Sequence, residues 1–174
     1  SPQGEPSGAI LGVMNMLKRL LKDHDPQHIG IIFDPKGKNF RHDIYPEYKA
    51  NRSAMPEDLS CQIQATFNMI ELMGLPLIIV DGVEADDVIG TVAKFAKTND
   101  FNTIIVSGDK DLFQLINNST SIWYSSPNRF SSDRLVSEKT YLDEKGFEGV
   151  KPKNVPDLKG LAGDSSDNIK GIPG

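Results

Sequence analysis

Three carboxylates fall within four residues in Gly82-Val83-Glu84-Ala85-Asp86-Asp87-Val88-Ile89-Gly90. Carboxylates so close repel one another unless a cation neutralises them. Taken alone, the stretch admits two readings: a cation site, or the acidic first turn of a helix, where negative side chains interact favourably with the helix dipole. Further acids stand in similar short settings: Asp34 before Pro35, Asp109 and Asp111 in Ser107-Gly108-Asp109-Lys110-Asp111, and Asp164 and Asp167 in Gly163-Asp164-Ser165-Ser166-Asp167-Asn168. One cysteine, Cys61, excludes an intrachain disulfide, and with only three histidines there is no credible zinc site. Any metal would be held by oxygen. Oxygen donors select hard cations, Mg²⁺ or Mn²⁺, and so many of them point to two ions rather than one. Such a pair orients a water and stabilises both the attacking and leaving oxygens of an in-line phosphoryl displacement, so phosphodiester hydrolysis is the natural chemistry.

The elements that must position these acids are legible from the apolar pattern. Ile10, Val13, Met14, Leu17, Leu20 and Leu21 fall three or four apart and predict a helix that ends near Asp23 to Pro26. His28-Ile29-Gly30-Ile31-Ile32-Phe33 reads as a strand buried on both faces and ending at Asp34. Pro56-Glu57-Asp58 opens a helix that carries Leu59, Ile63, Phe67, Ile70 and Leu72 to a stop at Gly74. Leu75 to Val80 is a second strand, leading into Asp81 and the acidic stretch, whose helix runs from Val88 to Lys97. Thr103 to Val106 is a third strand, leading into Asp109 and Asp111 and a helix through Leu112, Phe113, Leu115 and Ile116. Ser121 to Tyr124 is read as a further strand, the segment from Arg129 to Val136 as an irregular hairpin or loop, Glu138 to Gly146 as a helix opened by Ser137, and Val155 to Leu161 as a short helix. Strands alternating with helices indicate βαβ units and hence an α/β fold with a mainly parallel central sheet flanked by helices. In such a sheet the C-terminal strand ends share one edge, where open α/β sheets place ligands, so the acid groups are expected to converge there.

Between the first strand and the next helix the composition changes. Lys36, Lys38, Arg41, Lys49 and Arg52 are interleaved with Phe40, Tyr45 and Tyr48, against only Asp43 and Glu47. This is either an ordinary polar connection or a surface that tracks phosphates and stacks bases. The formal net charge of −5 argues at first against a polyanionic partner. Setting aside the eight motif acids, however, leaves 16 acidic against 19 basic residues, so net charge does not decide the matter. Length and composition fit one ordinary soluble domain, the N-terminal residues lack the form of a signal peptide, and the expected location is cytoplasmic.

Five segments together resemble, in order, the successive motifs of the 5′-nuclease domain of bacterial DNA polymerase I, shared with stand-alone 5′-3′ exonucleases and flap endonucleases. They are Phe33-Asp34-Pro35-Lys36-Gly37-Lys38-Asn39-Phe40-Arg41, Tyr48-Lys49-Ala50-Asn51-Arg52, the stretch from Gly82 to Gly90, the stretch from Ser107 to Asp111, and Gly163-Asp164-Ser165-Ser166-Asp167-Asn168-Ile169. The resemblance implies a PIN-like 5′-nuclease fold with a helical arch, residues 1–150 forming the catalytic domain and residues 151–174 beginning a helix-three-turn-helix element that grips duplex phosphates, often with K⁺. It further implies that Asp34, Glu84, Asp86 and Asp109 stand near a first metal and Asp111, Asp164 and Asp167 near a second, with Asp87 in the same cluster. By the same resemblance Lys49 and Arg52 contact the scissile phosphate from the arch, while Phe40, Tyr45 and Tyr48 lie where the displaced strand is threaded or stacked. Family members also carry a strand with a further metal-ligand aspartate before the segment resembling Gly4 to Gly8, so the chain is read as a fragment of a longer nuclease.

The implied function is structure-specific 5′-3′ exonuclease and flap endonuclease activity, using two Mg²⁺ or Mn²⁺ ions. Its implied partners are DNA with a 5′ flap or single-strand/duplex junction and RNA–DNA primers, in replication and repair, acting as a monomer in the bacterial nucleoid region. Two alternatives remain open at this point. One is a non-catalytic nucleic-acid-binding fragment of such a protein. The other is a small-molecule phosphatase, which would need an aspartyl nucleophile and has no use for the basic-aromatic stretch.

Overall fold

The computed structural model of the chain describes residues 6–126 and 132–173. In chain order its elements are α1 (Gly8–His24), β1 (Ile31–Ile32), α2 (Phe40–Ile44), α3 (Glu57–Ser60), α4 (Ile63–Leu72), β2 (Leu77–Ile78), α5 (Ala85–Thr98), β3 (Thr103–Ser107), β4 (Thr120–Tyr124), β5 (Arg134–Val136), α6 (Val155–Ala162), β6 (Gly163–Asp164) and β7 (Ile169–Lys170). Short 3-10 turns lie at Lys110–Leu115, Tyr141–Asp143 and Pro152–Asn154. The chain divides into two compact units, one running up to Lys36 and including Ser53–Asp81, the other comprising Gly37–Arg52 and the residues from Gly82 onward.

In the first unit α1 packs on α4, burying Leu17 and Ile70. Ser7 offers no side-chain cap to α1. The buried Gln62 does so instead: its Oε1 accepts the N–H of Ala9 at 2.9 Å and of Ile10 at 3.4 Å, satisfying donors that a helix N-terminus otherwise leaves open. That role divides the helix expected to run from Pro56 to Leu72. The chain turns at Cys61 and Gln62, where the Gln62 N–H donates to Leu59 O, and α4 starts only at Ile63. β1 and β2 pair in parallel, Ile31 with Leu77 and Ile32 with Ile78. Both are shorter than the apolar runs that announce them, and their residues are half-buried rather than enclosed on both faces. Because the pair is parallel, Asp34 and Asp81 follow it at the same end.

In the second unit the sheet order is β3-β4-β5, with β3 parallel to β4 and β4 antiparallel to β5. The core gathers Ala93 of α5, Ile105 of β3, Leu112, Phe113 and Ile116 of the turn after it, Ile122 and Tyr124 of β4, Val136 of β5, Tyr141, Phe147 and Val155. Each large apolar side chain so enclosed contributes about 1.5–3 kcal/mol relative to exposure. The helix expected through Leu112 to Ile116 is a 3-10 turn, and that expected from Glu138 to Gly146 reduces to a turn at Tyr141–Asp143. In both places the tighter turn lets aromatic side chains face inward: the rings of Phe113, Tyr141 and Phe147 lie 5.6–6.0 Å apart. Leu135 and Val136 of the expected hairpin or loop belong to β5, whereas Arg129 lies outside the described residues. Gly108, between β3 and Asp109, has no room for a side chain, since a Cβ there would meet the Ser125 carbonyl oxygen at 2.9 Å. The close approach keeps the acid-bearing turn tight against the end of β4.

Candidate functional site

The acids of Gly82–Gly90 are positioned by the start of α5. Glu84 is its N-cap residue, and the Asp87 side chain accepts the Glu84 N–H at 3.0 Å. The helix therefore begins three residues earlier than the apolar pattern indicates, and an acidic first turn is part of the answer. It is not the whole. Arg41 grips Asp87 with two parallel hydrogen bonds of 2.7 and 2.8 Å, a fork-on-fork contact that fixes both groups. This pairing, reinforced by Glu84, pulls the Asp87 carboxyl below its ordinary range and raises the Arg41 guanidinium.

Glu84 is more heavily engaged. Its Oε1 accepts from Asn39 Nδ2 at 2.9 Å and from Lys49 Nζ at 2.6 Å, and its Oε2 from the Tyr48 hydroxyl at 2.9 Å. Burial alone would raise its pKa, but the hydrogen bonds from Lys49 and Tyr48 and the nearby Arg41 charge outweigh burial and lower it. Tyr48 is itself 6 % exposed, and its one hydroxyl lies 2.9 Å from Glu84 and 3.0 Å from Asp167. Burial and the two carboxylates push its ionisation far above the usual phenol range, so Tyr48 stays a neutral proton donor between two anions.

The segment carrying these cations is held by the acidic turn near the C-terminus. The expected arch contains the five-residue α2, capped by Asn39 and His42, followed by hydrogen-bonded turns through Arg52. Lys49 stands in the left-handed region at φ +56°, and its N–H donates to Asp167 O at 3.1 Å. Arg52 Nη2 donates to Asp167 Oδ1 at 2.7 Å, Asn51 Nδ2 to Ser165 O at 2.7 Å, Tyr45 Oη to Asn168 O at 3.1 Å, and Asn168 Nδ2 to Glu47 O at 2.8 Å. The turn is kept compact by β6 and β7 and by Gly163 at φ +83°, whose missing Cβ leaves room for the Gly171 backbone.

A second group forms where the turn after β3 meets α6 and β6. Asp111 donates its N–H to Asp109 Oδ1 at 2.8 Å, and Lys159 Nζ lies 2.8 Å from both Asp111 Oδ1 and Asp164 Oδ2. Ser166 N–H and Oγ–H hold the other Asp164 oxygen at 2.9 and 2.6 Å. Burial would raise the Asp164 pKa, but Lys159 and Ser166 override it and lower it to about 2. Asp111 moves the other way: burial and its neighbours Asp109 and Asp164 raise it against the pull of Lys159. A cavity of about 420 Å³ opens beside this group, lined among others by Arg41, Tyr45, Tyr48, Lys159 and Asp167.

Within the second unit the structure thus brings Arg41, Tyr48, Lys49 and Arg52 together with Glu84, Asp87 and Asp167, and Asp111 together with Asp109 and Asp164. Asp86 lies half-buried in the first turn of α5, Lys38 and Phe40 are exposed, and Asp34 and Lys36 belong to the first unit, where both are exposed. Asn39, Ser166 and Lys159 complete the site although their residue types alone give no sign of it. For Asn39 a signal existed, an Asx residue directly before a short helical run, where an N-cap belongs. For Lys159 it did not, because a lysine on a short helix reads as solvated.

The chemistry of the donors fits a hard divalent cation, since they are carboxylate oxygens and two of them, from Asp111 and Asp164, already converge on one positive nitrogen. As the side chains stand, no three His, Cys, Asp or Glu among the described residues are close enough together to enclose a metal ion. Internal cations neutralise most of the cluster instead.

This α/β arrangement, with acids at strand ends and helix starts and a basic segment docked upon them, defines a nuclease-like architecture. The chain belongs to the family described as the 5′-3′ exonuclease N-terminal resolvase-like domain, whose model matches residues 1–147. It is 41 % identical over 175 residues to DNA polymerase I of Pseudomonas aeruginosa, covering 98 % of this chain and 18 % of that protein. It is likewise 41 % identical over 174 residues to a 5′-3′ exonuclease of Buchnera aphidicola from Schizaphis graminum, covering 99 % of this chain and 58 % of that one. The fold matches a crystal structure of the bacteriophage T5 D15 flap endonuclease in a pseudo-enzyme-product complex with DNA and metal ions, with a TM-score of 0.74 at 23 % identity over 95 % of this chain and 62 % of that one.

Proposed function

We propose that the chain is the nuclease part of a structure-specific 5′-3′ exonuclease and flap endonuclease, hydrolysing DNA and RNA-primer phosphodiesters near 5′ single-strand/duplex junctions. The observation that carries this reading is the docking of Arg41, Lys49 and Arg52 onto Glu84, Asp87 and Asp167 inside one compact unit. It sets the cations that would bind the substrate's phosphates directly beside the acids that would hold metal. Divalent cations, Mg²⁺ or Mn²⁺, would supply the activation of water and the stabilisation of charge on the leaving oxygen. Within the second unit, Glu84, Asp86 and Asp109 are assigned to a first ion, and Asp111, Asp164 and Asp167 to a second. Asp87 supports the cluster through Arg41 rather than by offering a free oxygen.

Lys49 and Arg52 act on the scissile phosphate, and Lys36, Lys38, Phe40, Arg41, Tyr45 and Tyr48 guide the strand. Because the cations are already paired, phosphate binding exchanges one anionic partner for another. This exchange keeps the charge cost low at each stage. Residues 1–150 are assigned to the catalytic domain and residues 151–174 to the beginning of a helix-three-turn-helix that takes duplex phosphates and K⁺. The protein is assigned to the cytoplasm as a monomer; no helix among the described residues is long and apolar enough to cross a membrane. The chain spans 58 % of the matched exonuclease and 18 % of the matched polymerase.

A second reading, a nucleic-acid-binding part without catalysis, is favoured by the internal neutralisation of the acids. Both are tested with a 5′-labelled flapped duplex and the longest natural form of the protein. The nuclease reading expects Mg²⁺-dependent release of products with 5′-phosphate ends, abolished by chelation and by Asp109→Asn, with DNA binding largely kept. Undiminished cleavage by Asp109→Asn would sink the assignment of the acids, and binding without any cleavage would establish the second reading.

A further inference from the structure

We propose that Lys159 is the resident counter-ion of the Asp111–Asp164 pair and that its ammonium, by occupying the place of a shared cation, sets how tightly this pair takes a divalent metal ion. The inference rests on the metal-binding reading of these acids given above. Its geometric basis is one nitrogen at 2.8 Å from an oxygen of each carboxylate.

The ammonium is delivered by a fixed element. Val155, 1 % exposed, anchors the start of α6 in the core, and Leu158 packs against the same core beside Lys159. The receiving carboxylate is fixed as well, because two Ser166 hydrogen bonds hold Asp164 Oδ1 and leave Oδ2 facing Lys159. Asp109 stands next to Asp111, accepting its N–H. Without a cation, three acids at this spacing repel one another, and the ammonium removes that repulsion. Oxygen ligands of Mg²⁺ lie roughly 2.0–2.1 Å from the ion, so a metal on Asp111 and Asp164 and the Lys159 ammonium cannot share the position. Metal entry must therefore move Lys159, and the cavity of about 420 Å³ that Lys159 lines gives its flexible side chain somewhere to go.

The test compares wild type with Lys159→Met and Lys159→Arg by Mn²⁺ titration at fixed ionic strength, read by calorimetry and by the shift in Tm. Lys159→Met should melt lower than wild type without metal and bind Mn²⁺ at least about tenfold more tightly. Lys159→Arg, which keeps the charge, should bind less tightly than Lys159→Met. Equal or weaker Mn²⁺ binding by Lys159→Met overturns the inference while leaving the metal reading intact, whereas absence of Mn²⁺ binding in every form overturns both. A measurement on unmodified protein stands independently of whether the variant folds: Mn²⁺ should raise the rate at which an amine-acylating reagent labels Lys159 several-fold relative to the exposed Lys151. A Lys159 labelling rate unchanged by Mn²⁺ in a protein that binds it also overturns the inference.

Discussion

The backbone N–H of Lys49 donates to the carbonyl oxygen of Asp167 across 3.1 Å, and Lys49 holds a positive φ of 56° to do so. A left-handed conformation costs a residue with a Cβ about 1–2 kcal/mol, so the contact is kept against local preference. Removing the side chain in two ways separates charge from backbone. Lys49→Ala and Lys49→Gly both lose the ion pair to Glu84, but only the glycine relieves the strain. In urea unfolding, Lys49→Gly should be the more stable of the two by about 1 kcal/mol, and equal stability would mean that the backbone there is not strained.

The same lysine is expected to change partners when nucleic acid binds. If it leaves Glu84 for a phosphate, it contributes about 0.7–0.9 to the slope of log K against log salt. Fluorescence anisotropy on a labelled flapped DNA should then show that slope reduced by this amount in Lys49→Ala. An unchanged slope would mean that Lys49 stays on Glu84 in the complex.

Much of this site was legible from the sequence, for reasons that differ between its parts. The acids at Asp109 and Asp111 follow a β-branched run, Thr103 to Val106, whose strand forms with one residue added. The start of α5 was less visible, because apolar spacing registers only from Val88, while its true beginning is set by a polar cap at Glu84. The break at Gln62 could not be seen, since the reason for it, two N–H groups at the start of α1, lies far away in the chain. Lys159 carried no signal for the same reason: its meaning comes from Asp111 and Asp164, which tertiary folding brings to it. The resemblance of five motifs identified the family that the matches confirm, yet could not tell which acids would be occupied by internal cations.

Acid stability should depend on Glu144. This side chain is 7 % exposed, receives two Arg134 hydrogen bonds of 2.7 and 2.6 Å, and lies 3.8 Å from Lys110. The Arg134 hydrogen bonds, opposed by burial and aided by both positive charges, lower its pKa from the ordinary 4.5. A lowered folded-state value means that the carboxylate stabilises the protein fully above pH 4.5 and that this contribution disappears as the pH falls through the lowered value. Glu144→Gln should therefore be less stable than wild type near neutral pH, by about 1–3 kcal/mol, with the difference shrinking on acidification below pH 4.5. A difference that stays constant from neutral to acid pH would show that the charge is not what Glu144 contributes.

Tyr48 offers a test of the central contact itself. Its single proton serves two carboxylates, Glu84 at 2.9 Å and Asp167 at 3.0 Å, so only one is bonded at a time while the other relies on Lys49 or Arg52. Replacing the hydroxyl leaves both oxygens without that donor but keeps the buried ring, and Tyr48→Phe should lower stability by about 1–3 kcal/mol. The phenol also identifies itself in alkali. Because burial and the two anions raise its ionisation far above the ordinary value of 10, Tyr48 should remain protonated where an unperturbed tyrosine has ionised. The tyrosinate absorbance that develops between pH 9 and pH 11 should then be the same in wild type and Tyr48→Phe, provided both remain folded. A smaller rise in the variant would mean that Tyr48 ionises in that range, and that the hydroxyl does not sit between two carboxylates in solution.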